Sequence, residues 1–258
     1  MARAPTIALC GLLLVLASNP CLAAGCAFEP QGEGHVTEIV DARTLRLQDG
    51  RDVSLAGIEP AVTGPANANR IAALSAIVAG RDVTLQGGAD DTPDRYGRQP
   101  AFVFPDGSDI SVQVALLAQG EALVAATVTD KDCAAALRSA EVAARQAKRG
   151  IWADPSAIKN TESPGDILAG IGRFTVVEGK VLSVRQAGAV TYLNFGRNWT
   201  RDFAVTIPKR AMAAYEAAGI VLKSLENRRI RVRGWIEARG GPRIEALRVG
   251  QIELLGEN

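Results

Sequence analysis

Histidine is nearly absent from this sequence: His35 is the single one among 258 residues. One imidazole cannot build a multi-histidine metal site, and it leaves little room for a Ser-His-Asp relay. Aromatic residues are also sparse, at 5%, and apolar runs are too short to span a bilayer as a permanent helix. With 47% hydrophobic and 22% charged residues, the composition is that of a folded globular chain without a permanent membrane span.

The first 24 residues have the layout of an export signal. A positive charge at Arg3 precedes an apolar run over 7–17, and small residues follow at 23–25. We therefore expect a signal peptide at 1–24 and a mature chain that is periplasmic or secreted.

Two of the four cysteines, Cys26 and Cys133, remain after such a cleavage. Two cysteines in an exported chain predict one disulfide between them. The alternative is a lipoprotein, because Ala23-Ala24-Gly25-Cys26 is an imperfect lipobox. Lipidation of Cys26 would leave Cys133 as a lone thiol.

The near-neutral net charge of +1 hides an asymmetry between the two halves of the chain. Residues 1–155 carry 13 lysines and arginines against 18 acidic residues, whereas 156–258 carry 16 against 10. An acidic half joined to a basic half indicates two domains with different roles. We predict a first domain at 25–154, a linker at 155–172 and a basic second domain at 173–258.

Short alternating runs predict strands in both halves, and runs with helical spacing lie between them. In the first half the predicted strands are 35–40, 44–47, 52–55, 81–85 and 101–104, with helices that include 65–79 and 130–149. In the second half the predicted strands are 174–184, 190–195, 203–207, 229–236, 243–247 and 251–254, with a helix at 209–218. This order predicts the α+β class: a five-stranded barrel with helices, followed by a second small OB-like barrel.

Five short motifs in 34–152 carry a resemblance to a known family. They are Val40-Asp-Ala-Arg-Thr-Leu-Arg-Leu47, Leu55-Ala-Gly-Ile-Glu59, Asp94-Arg-Tyr-Gly-Arg98, Leu117-Ala-Gln-Gly120 and Ala140-Glu-Val-Ala-Ala-Arg-Gln-Ala-Lys-Arg-Gly-Ile-Trp152. In this order they resemble the thermonuclease (staphylococcal-nuclease-like) family. The resemblance implies an OB-like barrel with helices and Ca²⁺-dependent phosphodiesterase activity on DNA and RNA.

The family's chemistry uses carboxylates that hold Ca²⁺, two arginines that hold the phosphate, and a glutamate that activates water. By this resemblance, the second calcium carboxylate falls on Glu59 and one phosphate arginine on Arg98. The first calcium aspartate, however, falls on Arg43, and the other phosphate arginine falls on Ser54. The catalytic glutamate falls on 62, a valine, or on 61, an alanine.

These replacements predict that catalysis is impaired, because a cation stands where a calcium ligand is needed and the general base is missing. Two alternatives remain open in this half. Glu59, Asp41 and Arg98 would form a modified divalent-metal site, in which case Ca²⁺ is the expected cofactor; otherwise no cofactor is expected. Arg43 would replace the lost cation and, with Arg98, hold a phosphate without cleaving it. Arg98 fits an ion pair with an acidic loop residue as well as it fits a phosphate.

The second half resembles the domain that follows degenerate thermonuclease domains in some bacterial exported proteins. The segments that carry this resemblance are Tyr192-Leu-Asn-Phe-Gly196, Trp199, Asp202-Phe203, Arg231-Val-Arg-Gly-Trp-Ile-Glu237 and Gly241-Pro-Arg-Ile-Glu245. Arg185, Arg197 and Arg201 surround Trp199 in the sequence, and cations interleaved with an aromatic are typical of single-stranded nucleic-acid binding. A second basic run comprises Arg228, Arg229, Arg231 and Arg233, and alternation places Arg229, Arg231 and Arg233 on one strand face. The simpler interpretation of both clusters is a solvated basic surface.

Three function classes follow from the sequence. The first is an exported, catalytically impaired protein that binds nucleic acid or phosphate-bearing ligands, with Arg43, Arg197, Trp199 and Arg201 as binding residues. The second is an active divalent-metal phosphodiesterase with a modified site. The third is a cell-envelope interaction module whose protein partners the sequence does not identify.

Overall fold

A computed structural model describes residues 26–60, 67–88 and 90–256. The predicted signal peptide at 1–24 and the family's catalytic-glutamate position at 61 or 62 lie outside these residues. Among the helices of the described residues, none is long and apolar enough to cross a membrane.

The first half is a closed five-stranded barrel, which confirms the predicted α+β class for this part. Its strands are β1 (Glu29–Asp41), β2 (Thr44–Leu47), β3 (Asp52–Leu55), β4 (Ile58–Pro60), β5 (Asp82–Gly87), β6 (Gln99–Pro105) and β7 (Ala122–Val124). The barrel order is β1-β2-β3-β6-β5, and β4 and β7 form a separate pair. Alternating apolar side chains fill the barrel because the side chains of successive strand residues point to opposite faces.

Three helices pack around the barrel: α1 (Asn67–Val78), α2 (Val112–Gln119) and α3 (Lys131–Gln146). The Ser111 hydroxyl caps α2 by accepting from the Val114 amide at 3.3 Å. The Asp130 carboxylate caps α3 by accepting from the Cys133 amide at 2.8 Å. These caps satisfy backbone donors that a helix leaves without partners in its first turn.

The predicted disulfide is confirmed. Cys26, which precedes β1, is bonded to Cys133 in the first turn of α3, with their Cα atoms 4.9 Å apart. Together with Asp130, these cysteines form the one dense group of potential metal ligands in the described part of the chain. Because both sulfurs are used in the disulfide, this group is structural.

The second half is a sheet of eight strands with two helices. The strands are β8 (Ile158–Asn160), β9 (Phe174–Lys180), β10 (Ser183–Ala187), β11 (Val190–Asn194), β12 (Ala204–Pro208), β13 (Arg229–Arg239), β14 (Gly241–Glu245) and β15 (Ile252–Leu254). The helices are α4 (Pro164–Leu168) and α5 (Lys209–Ala217). The strand order is β10-β11-β12-β14-β13-β9-β8, and β15 also pairs with β13, so the sheet branches at β13.

The segment 155–172, predicted as a linker, contains β8 and α4. Strand β8 pairs in parallel with β9, and Ile167 of α4 is fully buried in the core of the second half. These elements have three and five residues, which is too short for a periodic pattern to emerge from the sequence.

The two halves meet in a buried contact. A small apolar cluster joins them, formed by Leu123, Ala144 and Trp152 from the first half and Phe174 and Val176 from the second. Beside it, Nη1 of Arg233 in β13 donates to Oε1 of Glu141 in α3 at 2.8 Å, and both side chains are buried. The contact therefore combines apolar packing with an ion pair shielded from water.

Candidate nucleic-acid interface

A cleft of about 640 Å³ opens on the first barrel, where the family resemblance places its catalytic site. Backbone and side chains of β3 and β4 line one part of it, and the loop that precedes α3 lines another. The charged side chains that line it are Arg43, Glu59, Asp90, Asp94 and Asp130.

Arg43 and Glu59 neutralise each other inside this cleft. Nη1 of Arg43 lies 2.7 Å from Oε1 of Glu59, and the two side chains are 27% and 12% exposed. Burial raises the pKa of Glu59, and the Arg43 guanidinium opposes that rise. The nearby Asp41 carboxylate accepts a hydrogen bond from the Arg43 amide at 2.8 Å, which stabilises the turn between β1 and β2.

Arg98 is also paired. Its Nε and Nη2 donate to Oδ2 of Asp94 at 2.9 and 2.7 Å. This hydrogen bonding lowers the pKa of Asp94 to about 2, so the carboxylate is ionised at neutral pH. Asp94 is thus the acidic loop residue with which Arg98 forms its ion pair.

The residues at the positions where the family resemblance places calcium ligands do not fit a calcium ion. A hard cation needs a set of oxygen ligands, but the guanidinium of Arg43 already contacts the Glu59 carboxylate. Asp41 is committed to its turn, and Ser54 is buried in β3. We therefore derive no catalytic step through a metal here.

A second concave surface lies on the basic half, and we call it the Trp199 groove. It has a volume of about 580 Å³. Its lining residues come from β10, β11 and the loop that follows β11, and they are Leu182, Ser183, Arg185, Ala187, Tyr192, Asn194, Gly196, Arg197 and Trp199.

The strand register explains why these side chains meet. Arg185 lies opposite Tyr192 in the antiparallel β10–β11 pair, and Ser183 lies opposite Asn194. Directly opposite residues project from the same face of a sheet. The intervening Leu193 is fully buried on the other face, in the core of the second half.

Trp199 is held by a hydrogen-bonded loop and still exposes 78% of its surface. The Asp202 carboxylate accepts from the Asn198 amide at 2.7 Å, and the Asn198 side chain accepts from the Thr200 amide at 3.1 Å. The indole passes beside Gly240, where an added Cβ would lie 3.8 Å from its Cε3. The loop is thus fixed by its own polar groups, so a large aromatic ring is displayed to solvent.

The cations around the Trp199 groove are available to a ligand. Within the described residues, the guanidinium groups of Arg185, Arg197 and Arg201 make neither a hydrogen bond nor a salt bridge. The pKa of Glu226 is lowered mainly by its hydrogen bond with Lys223 and also by the nearby charge of Arg185. Arg185 and Arg197 line the groove, whereas Arg201 lies in the same loop but outside the lining. Of the four residues in the predicted cluster, Arg185, Arg197 and Trp199 therefore lie together in the groove lining, and Arg201 lies outside it.

In the structure, the second basic run is not the solvated basic surface that the sequence favours. Arg231 donates to Glu178 at 2.6 Å and to Glu253 at 2.9 Å, and Arg233 is bonded to Glu141. Both arginines are buried against acidic partners. Arg229 and the preceding Arg228 stay exposed, so the exposed part of the run is confined to the start of β13 and the strand offers no continuous basic surface for nucleic acid.

Residues 68–154 match the family model described as staphylococcal nuclease homologue. This part of the chain is similar to staphylococcal nuclease. The matched residues include Arg98, whereas Arg43 and Glu59 precede them. A comparison with curated proteins finds no match.

The nuclease-like match covers residues 68–154 of the first half and does not include the Trp199 groove. The residues that form the floor of this groove were not identified from the sequence. Tyr192 and Asn194 line that floor. The alternating pattern of the sequence could have identified them. Alternation along 190–195 places both on the face opposite Leu193, so they share a surface with any residue that the neighbouring strand contributes.

Proposed function

We propose that this protein is an exported, catalytically impaired relative of the staphylococcal nucleases that binds nucleic acid through the Trp199 groove. The observation that carries the proposal is an exposed indole flanked by Arg185 and Arg197, which make no salt bridge in the described structure. Guanidinium groups bind phosphate oxygens, and aromatic rings stack on bases. The signal-like first segment and the Cys26–Cys133 disulfide support export.

The pairing in the first-half cleft supports impaired catalysis. A family nuclease needs carboxylates for a cation and free guanidinium groups for the phosphate. Here Arg43 and Arg98 each hold a carboxylate, at 2.7 Å in both cases. A phosphate would have to displace these carboxylates before either arginine could bind it.

A binding titration of the full mature chain tests the proposal. We expect a labelled 12-nucleotide single strand to bind at low salt and to dissociate as salt rises, because phosphate contacts release counterions. Arg197→Gln should reduce the slope of log affinity against log salt by about 0.7. Arg210→Gln is the charge-matched control, because Arg210 is exposed on α5 and pairs with Glu245 at 3.3 Å. Absence of binding at low salt would contradict the proposal and favour the envelope module.

A nuclease assay on the same sample tests the competing function. We expect no digestion of single-stranded DNA or RNA in the presence of Ca²⁺. Robust Ca²⁺-dependent cleavage that is lost in Glu59→Gln would show that the modified site is active.

A further inference from the structure

The floor of the Trp199 groove has a chemistry that phosphate binding does not use. Asn194 Nδ2 donates to Ser183 Oγ at 3.2 Å. In the described residues this leaves Oδ1 of the Asn194 side-chain amide without a donor and the Ser183 hydroxyl proton without an acceptor, whereas the Asn194 backbone carbonyl accepts from the Leu182 amide. The floor therefore presents an acceptor and a donor side by side, which matches the polar edge of a nucleobase.

The indole of Trp199 supplies the other element of a base site. A large exposed aromatic ring is unfavourable in water unless a partner covers it, and a base offers a flat π-face of suitable size. The groove volume of about 580 Å³ lies in the range of small-molecule sites. Arg185 and Arg197 line the same groove, where they would contact the phosphates on either side of an inserted base.

From this arrangement we infer that the Trp199 groove accepts one unpaired nucleobase, stacked on Trp199 and hydrogen-bonded to Asn194 and Ser183. The inference rests on the proposed function and names its ligand class: single-stranded nucleic acid with intact bases. A base inside a duplex is stacked and paired, and extruding it costs a few kcal/mol. The groove therefore selects single strands over duplexes.

Strands with and without bases separate this inference from simple phosphate binding. Three labelled 12-nucleotide probes are titrated onto the full mature chain at one low salt concentration: a normal single strand, the same length of abasic deoxyribose phosphate, and a duplex. We expect the normal strand to bind about 5- to 150-fold more tightly than the abasic strand. The affinity for the duplex should not change in Trp199→Ala, because the bases of a duplex are already stacked and paired.

Two tryptophan variants locate the effect. Trp199→Ala should bring the ratio of normal to abasic affinity close to one, and Trp199→Phe should restore part of it. Trp235→Ala is the control, because Trp235 is 50% exposed but lies outside the groove lining, and the ratio should persist. A ratio near one in the unmodified chain would overturn the inference while leaving phosphate binding intact. A ratio unaffected by Trp199→Ala would also overturn it, and failure of every strand to bind would overturn the proposed function with it.

Discussion

Arg43 and Glu59 are each other's counterion in the first-half cleft. Their charged atoms lie 2.7 Å apart in a largely buried setting, where an isolated carboxylate is costly. The guanidinium therefore does for Glu59 what a bound cation does for the carboxylates of a metal site.

Arg43→Met should destabilise the fold by about 1–3 kcal/mol at pH 7, because it leaves the Glu59 carboxylate buried without a partner. Burial already raises the pKa of Glu59 above its unfolded value, and losing Arg43 raises it further. When folding raises the pKa of a carboxyl group, the protein loses stability as the pH rises from the pKa of that group in the unfolded state to its pKa in the folded state. Urea unfolding should therefore show that Arg43→Met loses less unfolding free energy at pH 4 than at pH 7.

The double variant Arg43→Met/Glu59→Gln is the control for this change. It removes both charges, so most of the pH-dependent part of the loss should disappear. Equal losses at pH 4 and pH 7 in the single variant would contradict a charge-based cause.

At the scale of a single element, strand β13 of the second half contacts the first half through Arg233, which pairs with Glu141 of α3. Alternation does place Arg229, Arg231 and Arg233 on one face, as the sequence predicts. Acidic side chains cover that face: Glu141 of α3 pairs with Arg233, whereas Glu178 and Glu253 pair with Arg231. Glu141 is 92 residues from Arg233 in the chain, and no local pattern reveals a partner at that distance.

Arg233→Met should cost about 3–5 kcal/mol of folding stability, because the buried Glu141 carboxylate would lose its hydrogen-bonded guanidinium and keep only Arg145, at 3.8 Å. Arg233 is 4% exposed and Glu141 is fully buried. The exposed pair of Arg210 and Glu245 offers a matched control, and Arg210→Met should cost no more than about 1 kcal/mol.

Chemical denaturation monitored by circular dichroism measures both changes. Adding Glu141→Gln to Arg233→Met should recover part of the loss, because the stranded charge is removed. A cost for Arg233→Met as small as that for Arg210→Met would mean that water reaches the contact between the halves.

At the scale of the whole molecule, the sequence predicted the elements better than their associations. The barrel of the first half follows from alternating runs such as 44–47 and 52–55, which are strands in the structure. The run 174–184 was predicted as one strand but is divided into β9 and β10, because alternation alone does not mark where a chain changes direction within a sheet. The Trp199 groove depends on this division, since β10 turns back to pair with β11 and brings Arg185 to Tyr192.

The disulfide lies in the first half, which a buried contact joins to the second half. Cys26 and Cys133 are 107 residues apart, and closing a loop of that length contributes about 4–5 kcal/mol on the chain-entropy model. Cys26→Ser/Cys133→Ser should therefore lower the free energy of unfolding by up to about that amount.

The buried contact at Arg233 and Trp152 should transmit this loss to the second half, although both cysteines belong to the first. Circular dichroism and tryptophan fluorescence should then report a single urea transition, shifted together in the cysteine variant. The Trp199 groove lies in the second half and away from the disulfide, so single-strand affinity in the absence of urea should stay unchanged. Two separate transitions, with only one of them shifted, would mean that the halves unfold independently and that their buried ion pair does not couple them.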